Sequence, residues 1–186
     1  MKKTIYLIAG ANGSGKTTLA HELLREEKGL TLLNADEIAL KISDKVGIRA
    51  GRVLLENLNI LLATKQPFAI ESTISSSHHL KVLKNARKAK YEIVLIYLFL
   101  DFPEANIARI KKRVQLGGHD IPDTVVVRRF YKSIKNFWTV SKLADKWKLY
   151  YNGGDDYKLV AASGNTTLEI VNENLYNKFK KGLKSG

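Results

Sequence analysis

The chain has 186 residues, and 31 lysines and arginines against 18 aspartates and glutamates give it a formal net charge of +13. This length predicts a single domain, residues 1–186, whose core is large enough to be stable without disulfides. The absence of cysteine excludes a disulfide framework and a thiolate metal site, and the apolar runs are too short to span a bilayer. We therefore expect a cytoplasmic protein that does not bind membranes, and its charge favours anionic partners such as nucleotides, phosphorylated metabolites or nucleic acid.

The first apolar run predicts a buried strand at residues 4–9 and leads directly into a glycine-rich sequence. Residues 10–17 read GANGSGKT, which matches the phosphate-binding pattern G-x-x-x-x-G-K-[ST], and a helical pattern follows at residues 15–27. In this pattern the backbone cradles phosphates, Lys16 reaches the β and γ oxygens, and Thr17 offers its hydroxyl to Mg²⁺. The predicted ATP site therefore consists of Gly10, Ala11, Asn12, Gly13, Ser14, Gly15, Lys16, Thr17 and Thr18.

Strand-like apolar runs alternate with helical patterns through most of the remaining chain, which is typical of a parallel sheet flanked by helices. Further strands are predicted at residues 30–33, 67–70 and 92–100, and helices at 35–64 (a pair), 76–88, 103–116 and 122–144. Residues 147–151 and 157–162 flank a Gly-Gly-Asp-Asp turn and predict a β-hairpin, followed by a strand at 167–171 and a closing helix to about residue 181. The predicted fold is α/β with a mostly parallel sheet.

Polar side chains follow the second and third predicted strands, at the sheet edge where α/β proteins bind their ligands. Asp36 is the candidate general base that takes a proton from an acceptor hydroxyl, and the alternative is that Asp36 or Asn34 caps the next helix. Glu71 ends an apolar strand, where a charge is costly unless it meets a metal, a cation or a substrate hydroxyl. Glu71 and Thr73 are therefore candidate substrate-binding residues, although hydroxyl residues nearby also suit a helix cap.

Residues 103–130 have the pattern of a closing lid. Arg109 and Arg113 are four residues apart on one predicted helix, a Gly-Gly pair follows at 117–118, and Arg128 lies on the next helix. Such a lid would bring guanidinium groups onto the transferring phosphoryl group while it excludes water. The alternative is a solvated charged face.

A second arginine pair, Arg49 and Arg52, shares one face at the start of the helix predicted before residue 64. The opposite face of that helix is apolar and predicts core packing. Arg52 is a candidate for binding an anionic substrate, and a surface pair with Glu56 is the alternative.

Six motifs together resemble the zeta-toxin-like P-loop kinases: GANGSGKTT, LNADEIA, AGR, IESTIS, ARIKKRVQLGGHDIP and DKWKLYYNGG. The likeness extends to about residue 162 and is closest to the short, stand-alone members of the group. It implies a nucleotide-kinase-like P-loop NTPase fold and ATP-dependent phosphorylation of a hydroxyl, which in true zeta toxins belongs to UDP-N-acetylglucosamine. It also introduces an antitoxin as a protein partner.

The same resemblance implies roles for individual residues. Lys16 and Thr17 correspond to the residues that bind ATP and Mg²⁺, and Asp36 corresponds to the general base. Glu71 and Thr73 resemble substrate-binding positions. Arg109, with Arg113 or Arg128, resembles the arginines that clamp the phosphates.

Three functions remain open from the sequence: a kinase of a small phosphate-bearing metabolite, a kinase of nucleic-acid 5′-hydroxyl ends, and an ATPase or switch module whose only acceptor is water. The basic residues are dispersed and lack interleaved stacking aromatics, which counts against nucleic acid. Asp36, Glu71 and Thr73 count against the switch, because a switch needs no site for an acceptor hydroxyl. We therefore expect the small-molecule kinase.

Overall fold

The computed structural model describes residues 3–27, 29–42, 48–76, 78–164 and 167–182. Its strands, in chain order, are β1 (Thr4–Ala9), β2 (Thr31–Asn34), β3 (Phe68–Ser72), β4 (Glu92–Phe99), β5 (Lys146–Tyr151), β6 (Lys158–Ser163) and β7 (Leu168–Ile170). Its helices are α1 (Lys16–Glu26), α2 (Ala35–Lys41), α3 (Ile48–Thr64), α4 (His78–Lys88), α5 (Pro103–Gln115), α6 (Asp123–Ser141) and α7 (Glu173–Lys181).

All strands of the described part join one sheet, in the order β2-β3-β1-β4-β5-β6-β7. The first five strands of that order are mutually parallel, and β6 and β7 add to them in antiparallel fashion. In the register, Ile8 of β1 lies between Glu71 of β3 and Ile96 of β4. The ends of β1, β2 and β3 therefore meet at one edge, which brings the phosphate-binding loop close to the residues that follow the other two strands.

Alternate residues of the strands pack into two hydrophobic layers, as the period of a strand requires. On one face, α3, α4, α6 and α7 cover β1 and β4, with fully buried Phe137 and Phe179 in this layer. On the other face, α1 contributes Ala20 to a smaller cluster with Ile8 and Leu98. α1 is therefore anchored on the sheet, and its N-terminus fixes the position of the phosphate-binding loop that precedes it.

The structure confirms the predicted α/β fold with its mostly parallel sheet, C-terminal hairpin and closing helix. The largest difference is at the long helix, which ends at Ser141 and not near residue 144. There the chain turns toward β5, and the Leu143 and Ala144 amides donate hydrogen bonds to the carbonyl of Val140. Among the described residues, no helix is both long and apolar enough to cross a membrane.

Candidate active site

A cavity of about 470 Å³ lies at the carboxyl ends of β1, β2 and β3. Its floor is the phosphate-binding loop with the first turn of α1, and one wall is the end of β3 from Glu71 to Thr73. The opposite wall consists of α5 and α6, which contribute Arg109, Arg113 and Arg129. Cationic, carboxylate and hydroxyl groups from distant parts of the chain therefore face one space.

Two glycines of the loop are required by their neighbours as well as by their backbone angles. Gly13 has φ +79°, and a Cβ there would lie 2.6 Å from the backbone oxygen of Asn106 on α5. Gly15 has φ +95°, and a Cβ there would overlap the side-chain amide of Asn152. Left-handed backbone and close approach both favour glycine, so α5 and the β5–β6 loop pack directly on the phosphate-binding loop.

Side-chain hydrogen bonds hold the loop from the same two directions. Asn106 donates from Nδ2 to the Asn12 carbonyl at 2.6 Å, and Asn152 donates from Nδ2 to the Ser14 carbonyl at 2.9 Å. Arg129 of α6 donates from Nη1 to Oδ1 of Asn12 at 3.1 Å. These three hydrogen bonds therefore hold the loop in its bent conformation.

Lys16 and Thr17 begin α1 immediately after the loop. Within the described part, the Gly15 N-cap provides no side-chain hydrogen bond to this helix, so the first backbone N–H groups can bind an anion. The Lys16 ammonium is buried, donates to the Ala11 carbonyl at 2.9 Å, and lies 3.8 Å from Oε1 of Glu71. A cation and helix N–H groups thus converge where the pattern predicts phosphates.

Glu71 connects the loop to the end of β2. The Thr17 hydroxyl lies 3.0 and 3.1 Å from the two carboxylate oxygens of Glu71, and Asn34 donates from Nδ2 to Oε2 at 2.8 Å. Asn34 also accepts a hydrogen bond from the Glu37 amide at 3.4 Å, so Asn34 occupies the capping position of α2. Asp36 belongs to the first turn of α2, and its side chain lies outside the described part of the structure.

Thr73 lines the cavity just beyond Glu71, and its hydroxyl lies 2.8 Å from that of Ser75. The Ser72 hydroxyl accepts a hydrogen bond from the Ile74 amide at 3.0 Å, which forms a local turn. Ser72 thus shapes the chain after β3, and both Ser72 and Thr73 line the cavity.

The arginines differ in how close they come to the cavity. Arg109 donates to the Asn152 carbonyl at 2.6 Å, and Arg113 donates to the His119 carbonyl at 2.9 Å. In the described part of the chain the cavity lining includes Arg129 and does not include Arg128 or Arg52, which are exposed on α6 and α3. Of the two partners expected for Arg109, Arg113 lines the cavity, and the arginine that α6 contributes to the lining is Arg129.

The phase of α6 explains this difference. Val126, Phe130 and Ser133 are buried and face the sheet, and successive helix residues are about 100° apart. Residue 129 therefore lies beside the buried stripe, at the edge that faces the phosphate-binding loop, whereas residue 128 lies opposite the stripe. The apolar pattern of residues 125–140 places residue 129 at an edge of the buried stripe, but which edge faces the phosphate-binding loop follows only from the packing of α6 in the tertiary structure.

A tyrosine and a carboxylate flank the loop side of the site. The Tyr151 hydroxyl donates a hydrogen bond to Asp101 at the end of β4, and Lys178 of α7 lies 3.2 Å from the same carboxylate. This hydrogen bond, followed by burial, raises the pKa of the Tyr151 hydroxyl. Asp101 thus connects the ends of β4 and β5 to α7 through Tyr151 and Lys178.

The residues present fit a divalent hard cation. Among the described residues no group of three or more His, Cys, Asp and Glu side chains could hold a metal by itself. The Thr17 hydroxyl and the Glu71 carboxylate nevertheless provide adjacent oxygen donors, and Mg²⁺ prefers a few protein oxygens together with phosphate oxygens and water.

Two comparisons of sequence match most of the chain. A family model described as an AAA domain (AAA_33) matches residues 5–133, a range that includes every residue lining the cavity. An uncharacterized protein of Haemophilus influenzae is 30% identical over 134 residues, which is 70% of this chain and 94% of that protein.

Solved structures show the same fold at low sequence identity. The crystal structure of AvrRxo1-ORF1:AvrRxo1-ORF2 with sulphate ions aligns with a TM-score of 0.79 and 17% identity over 96% of this chain, which spans 63% of that chain. A structure of the PezAT chromosomal toxin-antitoxin system of Streptococcus pneumoniae aligns with a TM-score of 0.65 and 15% identity, covering 98% of this chain and 86% of that chain. Shikimate kinase from Acinetobacter baumannii, in complex with shikimate, aligns with a TM-score of 0.51 and 18% identity, covering 100% of this chain and 94% of that chain. The fold is therefore that of the P-loop kinases.

Proposed function

The chain belongs to the AAA-domain family (AAA_33), and we propose that it transfers the γ-phosphoryl group of ATP to a hydroxyl of a small phosphate-bearing metabolite. One observation carries the proposal: the phosphate-binding loop, a carboxylate against its threonine, and three arginines of α5 and α6 face a single cavity. Phosphoryl transfer needs this combination, because it depends on positioning and on stabilising charge more than on covalent chemistry.

Lys16 and the N-terminus of α1 would bind the β and γ phosphates, since both are electropositive and face the cavity. Thr17 and Glu71 would hold Mg²⁺ through their oxygens, and the metal, when bound, reduces the negative charge of the phosphates. The Glu71 carboxylate lies against the Thr17 hydroxyl. This contact supports a role for Glu71 in holding the metal, in place of the substrate-binding role inferred from the resemblance. Thr73, directly after β3, is then the proposed contact for the acceptor.

Asp36 is the proposed general base. It follows Asn34, which caps α2 and contacts Glu71, so the first turn of this helix begins beside the metal-side carboxylate. A carboxylate at this place can accept the proton of the acceptor hydroxyl as the phosphoryl group moves.

Arg109, Arg113 and Arg129 are the proposed cations for the transferring phosphoryl group. They come from two helices, and the cavity separates them from Thr73 and Glu71. Guanidinium groups placed in advance stabilise the charge of a phosphoryl transition state. This proposal assigns Arg129 the role that sequence reasoning gave to Arg128.

A sugar nucleotide such as UDP-N-acetylglucosamine is the proposed acceptor, which makes the protein a zeta-toxin-like kinase of the cytoplasm. The motif resemblance supports this class, and the cavity of about 470 Å³ falls in the ordinary range for small-molecule sites. An antitoxin partner is also proposed, and its support is the fold shared with the AvrRxo1-ORF1:AvrRxo1-ORF2 and PezAT structures.

The test is transfer of radiolabel from γ-labelled ATP with Mg²⁺ to a panel of sugar nucleotides, nucleosides and 5′-hydroxyl oligonucleotides. We expect stoichiometric labelling of a sugar nucleotide, loss of labelling in Lys16→Ala, and a larger loss in Arg129→Ala than in Arg128→Ala. Faster labelling of the oligonucleotide would make the protein a nucleic-acid end kinase. Release of inorganic phosphate with every acceptor omitted, at an undiminished rate, would make it an ATPase.

A further inference from the structure

We propose that Asn12 is a positioning residue that holds Arg129 over the phosphate-binding loop. This inference rests on the proposed phosphotransferase function for its kinetic consequence, and on two hydrogen bonds of Asn12 for its geometry. Asn12 occupies a variable position of the G-x-x-x-x-G-K-[ST] pattern, so phosphate binding through the loop backbone does not require this side chain.

Asn12 is held from two helices at once. Its carbonyl accepts the 2.6 Å hydrogen bond from Asn106 of α5, and its side-chain Oδ1 accepts the 3.1 Å hydrogen bond from Arg129 of α6. Asn12 is 7% exposed and Asn106 is 0% exposed, so water has little access to the first of these contacts. Both lid helices therefore meet the loop at one residue.

An asparagine suits this task because its side-chain oxygen is a neutral acceptor. A guanidinium has five N–H donors, so one bond to Asn12 leaves the others, and the full positive charge, for phosphate oxygens. An aspartate would pair with the cation and oppose phosphate, whereas an alanine would leave the long arginine side chain without an anchor. Arg129 lines the cavity together with Lys16, so the hydrogen bond to Asn12 fixes the position of the guanidinium group within the cavity.

The kinetic test combines Asn12→Ala with Arg129→Ala in a double-mutant cycle. Misplacing a catalytic group by about 1 Å can cost up to about 100-fold in rate, so we expect Asn12→Ala to lower kcat by about 10- to 100-fold with the Kd for ATP changed less than about threefold. In the Arg129→Ala background, Asn12→Ala should have no further effect. Lys132→Ala, which removes an exposed cation from the same helix, should leave kcat unchanged.

A second measurement needs no catalysis. Hydrogen exchange of the ligand-free protein should increase in residues 123–133 for Asn12→Ala and stay unchanged for Lys132→Ala, because only the first substitution removes the contact between loop and α6. If Asn12→Ala does not fold, Asn12→Asp provides the kinetic arm, and we expect it to lower kcat because its carboxylate neutralises the guanidinium.

Additive effects in the cycle, an equal loss of ATP affinity and kcat, or unchanged exchange in residues 123–133 would each overturn the role of Asn12. If the wild-type protein transfers no phosphoryl group, the proposed function fails, and the exchange experiment still decides whether Asn12 holds α6. The two failures are therefore distinguishable.

Discussion

Replacing Gly13 by alanine tests whether α5 packs on the phosphate-binding loop as the structure shows. The residue has φ +79°, and the new Cβ would lie 2.6 Å from the backbone oxygen of Asn106. A backbone oxygen inside a helix cannot rotate away, so either the loop or α5 must move.

The expected cost has two parts. A residue with a Cβ in the left-handed region costs about 1–2 kcal/mol, and an extra methyl group in closed packing costs about 1–3 kcal/mol. The free energy of unfolding should therefore decrease by about 2–5 kcal/mol. For a chain of this size each kcal/mol corresponds to about 2–4 °C, so we expect Tm to fall by about 4–20 °C.

The assay is thermal unfolding followed by circular dichroism without nucleotide, supported by a urea titration with an unchanged m-value. Gly51→Ala is the matched control, because Gly51 lies within α3 and a Cβ there would meet no atom within 4 Å. Alanine in a helix should stabilise the protein by about 0.5–1 kcal/mol. A Gly13→Ala protein as stable as wild type would refute the close packing of α5 on the loop.

Three further predictions concern the base, the lid and alkaline pH. Asp36→Asn keeps the shape but cannot accept a proton, so turnover should fall by about 10²–10⁴-fold with nucleotide affinity little changed; loss of stability with activity retained would contradict the role of base. ATP with Mg²⁺ should protect residues 109–129 from hydrogen exchange more than the turn at Gly153, and uniform protection would identify 109–129 as a fixed surface. Burial raises the pKa of Tyr97 well above its ordinary value of 10.0, so the folded state favours the neutral phenol. This contribution is complete below about pH 10 and is lost as pH rises, with a slope of up to about 1.4 kcal/mol per pH unit that Tyr97→Phe should remove.

Most elements of the fold could be predicted from the sequence because their signals are local. The strand at residues 4–9, the loop GANGSGKT and the helix after it are contiguous, so one stretch of chain specifies both the motif and its place at a strand end. Alternating apolar runs indicated the parallel sheet, and the Gly-Gly-Asp-Asp turn indicated the antiparallel hairpin of β5 and β6.

The candidate site could be predicted only in part. Residues 16, 17, 71, 73, 109 and 113 line one cavity, as their positions at strand ends and on one helix face led us to expect. The contact of the Glu71 carboxylate with Thr17, a partner 54 residues away, was not part of that expectation. The sequence places Glu71 at the end of its strand, but it does not show which of the neighbouring side chains at that sheet edge the carboxylate contacts.

The sequence by itself determined the phosphate-binding loop and its place between a strand and a helix, because this motif needs only neighbouring residues. Only the tertiary structure decided which arginine of α6 faces that loop. Arg128 and Arg129 have the same side chain, and what separates them is the rotation of α6 on the sheet and a hydrogen bond between residues 117 positions apart. That rotation follows from packing of Phe130 and Phe137 against β4 and its neighbours, which is a property of the assembled core and not of any local segment.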